Sequence, residues 1–329
     1  MASTMKYKDA IAESIAQEME NDPNIVVLGV GVCDEKGIFG TTKLAHDLFP
    51  GRVWETPLSE NMLTGAIWGM ALNGYKPILV HARADFLMLT MEHLVNTAAK
   101  WKITHHTSLV ETPTIIIRAI IGKGWGQGPQ HSQAFLGMLA RIPGVHAFAP
   151  ITPGDAKDSL ALALRMEGVS VILEHRSLFD KEDEDFIYEQ PENPVVDLVG
   201  ISGAAIETIA AGKLLNKMGL PARVSLWGLE FIMKGLDVES DKIVLVDVEN
   251  NGIAIDISHA FLQKLPGEIM TTIVSPPPWP LPTSQALEPT WYPSHYDVIQ
   301  AACKLLGLEQ AQGEEPSTPG VAHPKDGPF

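Results

Sequence analysis

Hydrophobic and polar positions along the chain follow two periods in turn. Short apolar runs at 25–28, 77–80, 114–117, 146–149 and 170–173 read as strands, most of them buried on both faces. Between them, apolar positions recur with helical spacing at 62–72, 88–102, 135–141 and 154–166. Strand alternating with helix predicts a mostly parallel sheet covered on both sides. The charged, proline-flanked stretch DKEDEDFIYEQPENP at 180–194 interrupts the pattern and has linker composition. The alternation then resumes, with strands at 195–200, 222–226, 243–248 and 270–274 and helices at 204–218 and 253–262. Prolines hold SPPPWPLPTS at 275–284 extended, and a terminal helix is expected at 297–306. The expected fold class is α/β, with two doubly wound domains at 1–179 and 195–309 joined by the linker 180–194. The tail at 310–329, rich in Gly, Pro and Glu, is expected to be disordered.

Charge and composition narrow the function classes. A net charge of −16 over 329 residues argues against a nucleic-acid partner and against docking to anionic lipid. No apolar run approaches the ~18 residues of a membrane-spanning helix. The segment MASTMKYKDAIAESIAQEME carries charge throughout an amphipathic pattern, which is unlike a signal peptide. Cys33 and Cys303 are the only cysteines, so no disulfide framework is expected and a reducing compartment, the cytoplasm, is implied.

Few segments carry candidate chemistry. Gly29-Val30-Gly31 follows a strand, but the third glycine of a dinucleotide loop would fall on Asp34, whose charge repels pyrophosphate; a plain strand-to-loop turn is the better reading. GKGWGQGP at 122–129 lacks the Lys-Ser/Thr pair of a phosphate loop and reads as a mobile glycine-rich loop. His81, His93 and His105-His106 lack metal-ligand spacing, and no metal is expected on this chain. The stretch ETPLSENMLTGAIWGMALNG at 55–74 is more informative. Ser59 is a candidate N-cap, which puts Glu60 in the first turn of a helix. A carboxylate there is favoured by the helix dipole whatever its role. Gly65, Ala66, Gly69 and Ala71 give that helix small faces for close packing, so Glu60 is expected to be carried indoors. Burial then favours its neutral form and the helix N-terminus its charged form.

Taken in order, several motifs resemble the beta subunit of the thiamine-diphosphate-dependent component of 2-oxo acid dehydrogenases (pyruvate, branched-chain and acetoin enzymes). They are TPLSE at 56–60, Asp85-Phe86, VNTAAK at 95–100, QHSQ at 130–133, IPGV at 142–145, APITPGDAK at 149–157 and LEHRSLF at 173–179. The resemblance implies a transketolase-like pyrimidine-binding domain followed by a transketolase C-terminal-like domain. It places Glu60 on the glutamate that hydrogen-bonds the ring nitrogen of the cofactor's aminopyrimidine. Phe86 falls on the ring that stacks on that pyrimidine, and Leu58 joins them among the cofactor-binding residues. His131 falls on the active-site histidine near the incoming acyl acceptor. No Gly-Asp-Gly with a downstream Asn pair occurs. The resemblance therefore implies an alpha-type partner that holds the diphosphate through Mg2+, in an α2β2 tetramer, with a lipoyl-domain acyltransferase as a further partner.

The chain also departs from the family. Gly29-Val30-Gly31 stands for Gly-Glu-Asp, HARA at 81–84 puts Arg83 in an apolar or aromatic position, and HHTS at 105–108 replaces Ser-Gly-Gly. VSLWGL at 224–229 replaces the usual Asp-Leu-Arg. A potassium site would map to Ile115, Ala163, Met166 and Gly168, and Met166 offers no side-chain oxygen, which counts against K+. The leading expectation is decarboxylation of a 2-oxo acid with transfer of the acyl group. One rival, motivated by His81 and Arg83, is a split transketolase-like or acyloin-forming carboligase. The other is a non-catalytic scaffold subunit.

Overall fold

The computed structural model describes residues 5–105, 112–122, 127–228, 238–249, 252–264 and 268–308, with only the backbone at 259–264. The described residues form two compact units. The first comprises the chain up to Ile121, Ala134–Glu184 and Gly228. The second comprises Gly122–Gln133, Asp185–Trp227 and the residues beyond Gly235.

The first unit is built on β1 (Ile25–Gly29), β2 (Val53–Glu55), β3 (Lys76–His81), β4 (Thr114–Ile121), β5 (Val145–Phe148) and β6 (Gly168–His175). They form one sheet in the order β2-β1-β3-β4-β6-β5, parallel throughout. Residues of β1 and β6 are buried along their whole length, as a parallel sheet covered on both faces requires. The helix Tyr7–Asn21 packs on the helix Pro153–Ala163. Thr152 and Asp155 start the latter with a reciprocal capping box, and Pro153 supplies its first residue.

Three local differences from the sequence pattern have physical causes. The strand expected at 114–117 runs on to Ile121, through Arg118. Arg118 is 1% exposed, and its Nε and Nη2 donate to the two carboxylate oxygens of Glu174 on β6 at 2.6 and 2.8 Å. Arg118 sits opposite Ile172, two residues before Glu174, so the pair shares one face of the sheet. The helix expected over 88–102 is broken into a tight turn at Met88–Thr90, a wide π-helix at Glu92–Ala98 and an α-helical turn at Trp101–Thr104. Finally, β2 has three residues, two of them exposed, and leaves no periodic signal.

In the second unit, β7 (Val196–Ile201), β8 (Ala222–Trp227), β9 (Lys242–Asp247) and β10 (Met270–Val274) form a parallel sheet in the order β10-β9-β7-β8. The helices Ala205–Lys217 and His295–Leu305 pack on one another and share a core with the sheet, including Leu198, Leu215, Val244 and Val298. Both units are therefore α/β with parallel sheets, in agreement with the expected fold class.

The buried pair supplies a stability test. Glu174→Gln leaves a guanidinium in the interior without its counter-charge, which is expected to cost about 3–5 kcal/mol. Replacing both residues, as Arg118→Met with Glu174→Leu, is expected to cost less than that. Urea unfolding of the three chains measures both; a double variant less stable than Glu174→Gln contradicts the account.

Candidate functional site

In the first unit the strand order reverses direction around β1: β2 lies on one side and β3 on the other. Loops leaving the carboxyl ends of strands at such a switch point make the natural ligand crevice of a parallel sheet. The strands are close there, since a Cβ on Gly29 would meet the Val80 carbonyl oxygen at 2.4 Å. In the loop after β1, Gly31 and Cys33 donate their backbone N–H groups to the Glu55 carboxylate, at 2.6 and 3.2 Å. The protein's own carboxylate thus fills the anion-binding concavity of this loop. This agrees with reading Gly29-Val30-Gly31 as an ordinary turn.

Beyond β2 the chain runs extended through Leu58 into the helix Glu60–Leu72. Ser59 holds the N-cap position, but its side chain makes no capping hydrogen bond. Leu63, Ile67, Trp68 and Ala71 bury one face of this helix. Gly65 admits the His93 ring, whose Cε1 would lie 3.2 Å from an added Cβ. The opposite face is open: nothing lies within 4 Å of a Cβ on Gly69, and Met62 is exposed. Glu60 lies on the buried side, seven residues before Ile67, but as the helix's first residue beside exposed Leu58 it is half-buried rather than carried indoors, and no described group hydrogen-bonds its carboxylate. Only its backbone carbonyl is engaged, accepting from the Thr64 hydroxyl at 2.7 Å. Leu58 is 76% exposed. Asn61 Nδ2 donates to the Leu89 carbonyl at 3.4 Å, tying the start of this helix to the turn that follows Ala84–Leu87, the short helix of half-buried Phe86. Glu60, Leu58 and Phe86 therefore stand on neighbouring segments of one unit. His131 belongs to the other unit, half-buried, its N–H donating to the Gly128 carbonyl at 3.3 Å. Residues 123–126 of the glycine-rich loop before it, and His106, lie outside the described residues.

A second constellation, of which the sequence pattern drew attention only to His81 and Arg83, occupies the carboxyl edge of the same sheet. His81 ends β3, and burial pushes its imidazole down to about 4; its Nε2 meets no hydrogen-bond partner among the described residues. Arg83 is 5% exposed, and burial, then the neighbouring Arg176, lower its guanidinium to about 10. Arg176 follows β6 directly and is itself lowered by burial. Phe39 joins the two: the Arg176 guanidinium carbon lies 4.6 Å from its ring centre and that of Arg83 5.6 Å. Phe39 is carried there by a loop in which Ile38 and Phe39 both take left-handed backbone angles, φ 44° and 57°. Such angles cost about 1–3 kcal/mol each in a non-glycine residue and persist only where the surroundings enforce them. Here Thr41 Oγ1 donates to the Ile38 carbonyl and Thr42 Oγ1 to the Val32 carbonyl, both at 2.9 Å. No sequence motif announces Phe39, because the shape of its loop is not written in a periodicity, and Arg176, though inside LEHRSLF at 173–179, is given no role there.

Among the described residues no three His, Cys, Asp or Glu side chains converge as a metal site, and no helix is long and apolar enough to cross a membrane. At the mapped potassium position the Met166 carbonyl accepts the Thr114 hydroxyl at 2.7 Å. A cleft of about 570 Å³ in the second unit, between β10 and the last helix, includes Trp291, Gln300 and Lys304 but none of the residues singled out above.

The first unit is of the α/β class with a parallel sheet, and a half-buried acid opens the helix that follows β2. Residues 3–181 match the family model for the transketolase pyrimidine binding domain. The chain is 30% identical over 336 residues to the beta subunit of acetoin:2,6-dichlorophenolindophenol oxidoreductase of Cupriavidus necator, covering 93% of this chain and 98% of that one. It is 27% identical to the pyruvate dehydrogenase E1 component subunit beta of Bacillus subtilis, over 92% of this chain and 98% of that one. The 2-oxoisovalerate dehydrogenase subunit beta of the same organism is 34% identical over 54% of each chain. The chain belongs to this family, the beta subunits of the 2-oxo acid dehydrogenase E1 component. Among solved structures, a split gene transketolase, an inactive beta4 tetramer, shares the fold, with a TM-score of 0.69, 20% identity and 93% of this chain and 100% of that one covered.

His81 makes the first unit acid-sensitive. Its folded value, about 4, lies below the ordinary 6.5, so folding favours the neutral ring. That contribution is complete above pH 6.5 and is lost as pH falls toward 4. At about 1.4 kcal/mol per pH unit it amounts to about 3 kcal/mol. His81→Met is expected to flatten the fall in unfolding free energy between pH 7 and pH 4.5. Identical pH profiles for the two chains contradict it.

Proposed function

We propose that this chain is the beta-type subunit of a two-chain thiamine-diphosphate enzyme that decarboxylates a 2-oxo acid and passes on the acyl group. The observation that carries the reading is the Glu60 carboxylate, held at the first turn of the helix Glu60–Leu72 with its oxygens unengaged by described residues and a half-buried aromatic ring, Phe86, on the adjoining segment. An acid, a ring and the exposed apolar Leu58 are a donor set that fits an aminopyrimidine: one hydrogen-bonding edge, one face and one apolar flank. Thiamine diphosphate, when bound, supplies the acidic carbon that adds to the 2-oxo group and accepts the electrons released with CO2. In this reading Glu60 holds a proton at the pyrimidine ring nitrogen, Phe86 and Leu58 orient the ring and exclude water, and His131 exchanges a proton in the acceptor half-reaction. An alpha-type chain holds the diphosphate and Mg2+, since this sequence has no Gly-Asp-Gly motif. The proposed assembly is an α2β2 tetramer in the cytoplasm, served by a lipoyl-domain acyltransferase. The carboligase and scaffold readings are not favoured, because relatives matched over nearly their full length are dehydrogenase or oxidoreductase subunits by name.

Glu60→Gln keeps the shape and removes the acid. With the partner and cofactor present it is expected to lower turnover by about 100-fold or more while unfolding is unchanged. Full turnover in this variant reduces Glu60 to a helix-start carboxylate. His131→Ala separates the half-reactions. It is expected to suppress transfer to the natural acceptor far more than reduction of a dye that takes electrons directly; equal losses in the two assays exclude an acceptor role.

A further inference from the structure

β10 ends the second sheet on one side, and among the described residues no strand pairs beyond it. The Met270 N–H donates to the Asp241 carbonyl at 2.8 Å, and β10 keeps unbroken parallel register with β9 from Met270 to Val274. Alternate residues of a parallel strand bond to a given neighbour. Met270, Thr272 and Val274 are therefore spent on β9, while Thr271 and Ile273 turn their N–H and C=O groups toward the open side. Edge strands are ordinarily guarded by a charge, a proline or a bulge. The strand MTTIV has none of these, and its Met270 and Ile273 are exposed.

What shields this edge is its setting. The cleft of about 570 Å³ beside β10 is lined by residues 272–275, four in succession. Successive strand residues point to opposite faces, so a cleft that touches all of them runs along the edge and not over one face. Its far wall is the helix His295–Leu305, which turns Gln300 and Lys304 to the cleft while Val298, Ile299 and Ala302 pack inward. Trp291 adds an aromatic wall, its Nε1 donating to the Trp279 carbonyl at 2.9 Å. An edge sunk in this way cannot meet the same edge of a second copy, which is sunk equally; a single extended segment reaches it. The lining charges are unequal in their freedom. Asp297 is occupied, its Oδ2 accepting the Ser294 N–H and hydroxyl at 2.7 and 2.8 Å. Lys304 is exposed and makes no ion pair with a described residue.

We propose that the edge of β10 is a docking site for an extended peptide of a partner protein, which adds a strand to the sheet and turns an acidic side chain to Lys304. Backbone bonds to Thr271 and Ile273 supply affinity, and the side chains along the cleft supply selectivity. The site lies in the unit that holds none of Glu60, Leu58 and Phe86, so it stands independently of the function proposed above.

A phage-displayed pentapeptide library is selected on the full chain, and the best binder is synthesised with capped ends and titrated calorimetrically. The binder is expected to be rich in β-branched residues, with Asp or Glu at one position, and to saturate one site. N-methylation of one alternate set of its residues removes the N–H groups that face β10 and is expected to weaken binding about tenfold or more, whereas the other set is tolerated. Ile273→Pro removes an outward N–H of the edge, where proline is tolerated, and is expected to cause a similar loss. Lys304→Glu is expected to reverse the charge preference, so that the peptide with Lys in place of its acid binds the variant better. Lys304 is exposed, so this variant reports even where Ile273→Pro does not fold. No saturable binder, a binder indifferent to N-methylation of either set, or a charge preference that survives Lys304→Glu overturns the proposal. Ile273→p-benzoylphenylalanine then identifies the occupant by photocrosslinking in the full chain. A crosslink to the added peptide is expected; crosslinks instead to residues 309–329 of the same chain, or to β10 of a second copy, give the edge to another occupant and overturn the proposal.

Discussion

The ion pair of Arg118 with Glu174 decides how far the central strands of the first unit can run. Two charges inside a parallel sheet are tolerable only when each cancels the other, and here Nε and Nη2 of Arg118 meet both Glu174 oxygens, while Nη1 finds no partner among the described residues. With that condition met, β4 reaches Ile121 and β6 reaches His175. The next residue is Arg176, which is thereby delivered to the same edge as Arg83 and Phe39. A sheet that ended where the apolar run ends would present a shallower rim and no second arginine. The chemistry at the rim is in this sense paid for in the middle of the sheet.

Much of the architecture was readable from periodicity, because buried parallel strands write themselves as apolar runs. β10 was bounded to the residue, and the helix of Glu60 to within two. What was not readable has a common cause. β4 was cut short because a buried arginine looks like a strand end until its partner, fifty-six positions away, is known. The π-helix at Glu92–Ala98 keeps a helical polarity pattern while changing the path of the backbone. At the candidate site, Glu60, Phe86 and Leu58 were legible as motif residues, whereas Phe39 depends on a loop shape that only tertiary contacts enforce, and the motif LEHRSLF does not show that its Arg176 meets that ring. Glu60 is only half-buried because it opens the helix beside exposed Leu58; small residues permit close packing but do not say that a neighbour is present within the same chain. Gly65 has one in His93, and Gly69 has none within 4 Å.

The helix Glu60–Leu72 thus has two different sides with two different jobs. One is cemented into the sheet through Ile67 and Trp68. The other turns Met62 and Gly69 outward, while the first-turn acid, on the buried side but at the open end of the helix, is half-buried with its oxygens unengaged by described residues. Fixing the acid by its backbone while leaving its oxygens unspent is a simple form of preorganisation.

Glu55 has a consequence for selectivity in a crowded cell. Phosphate and nucleotides are abundant solutes, and a turn with converging backbone N–H groups is open to any of them. By seating its own carboxylate on Gly31 and Cys33, the chain supplies a tethered competitor that is always present at high effective concentration. Stray anions meet a turn whose N–H donors are already taken by a carboxylate from the β2 side.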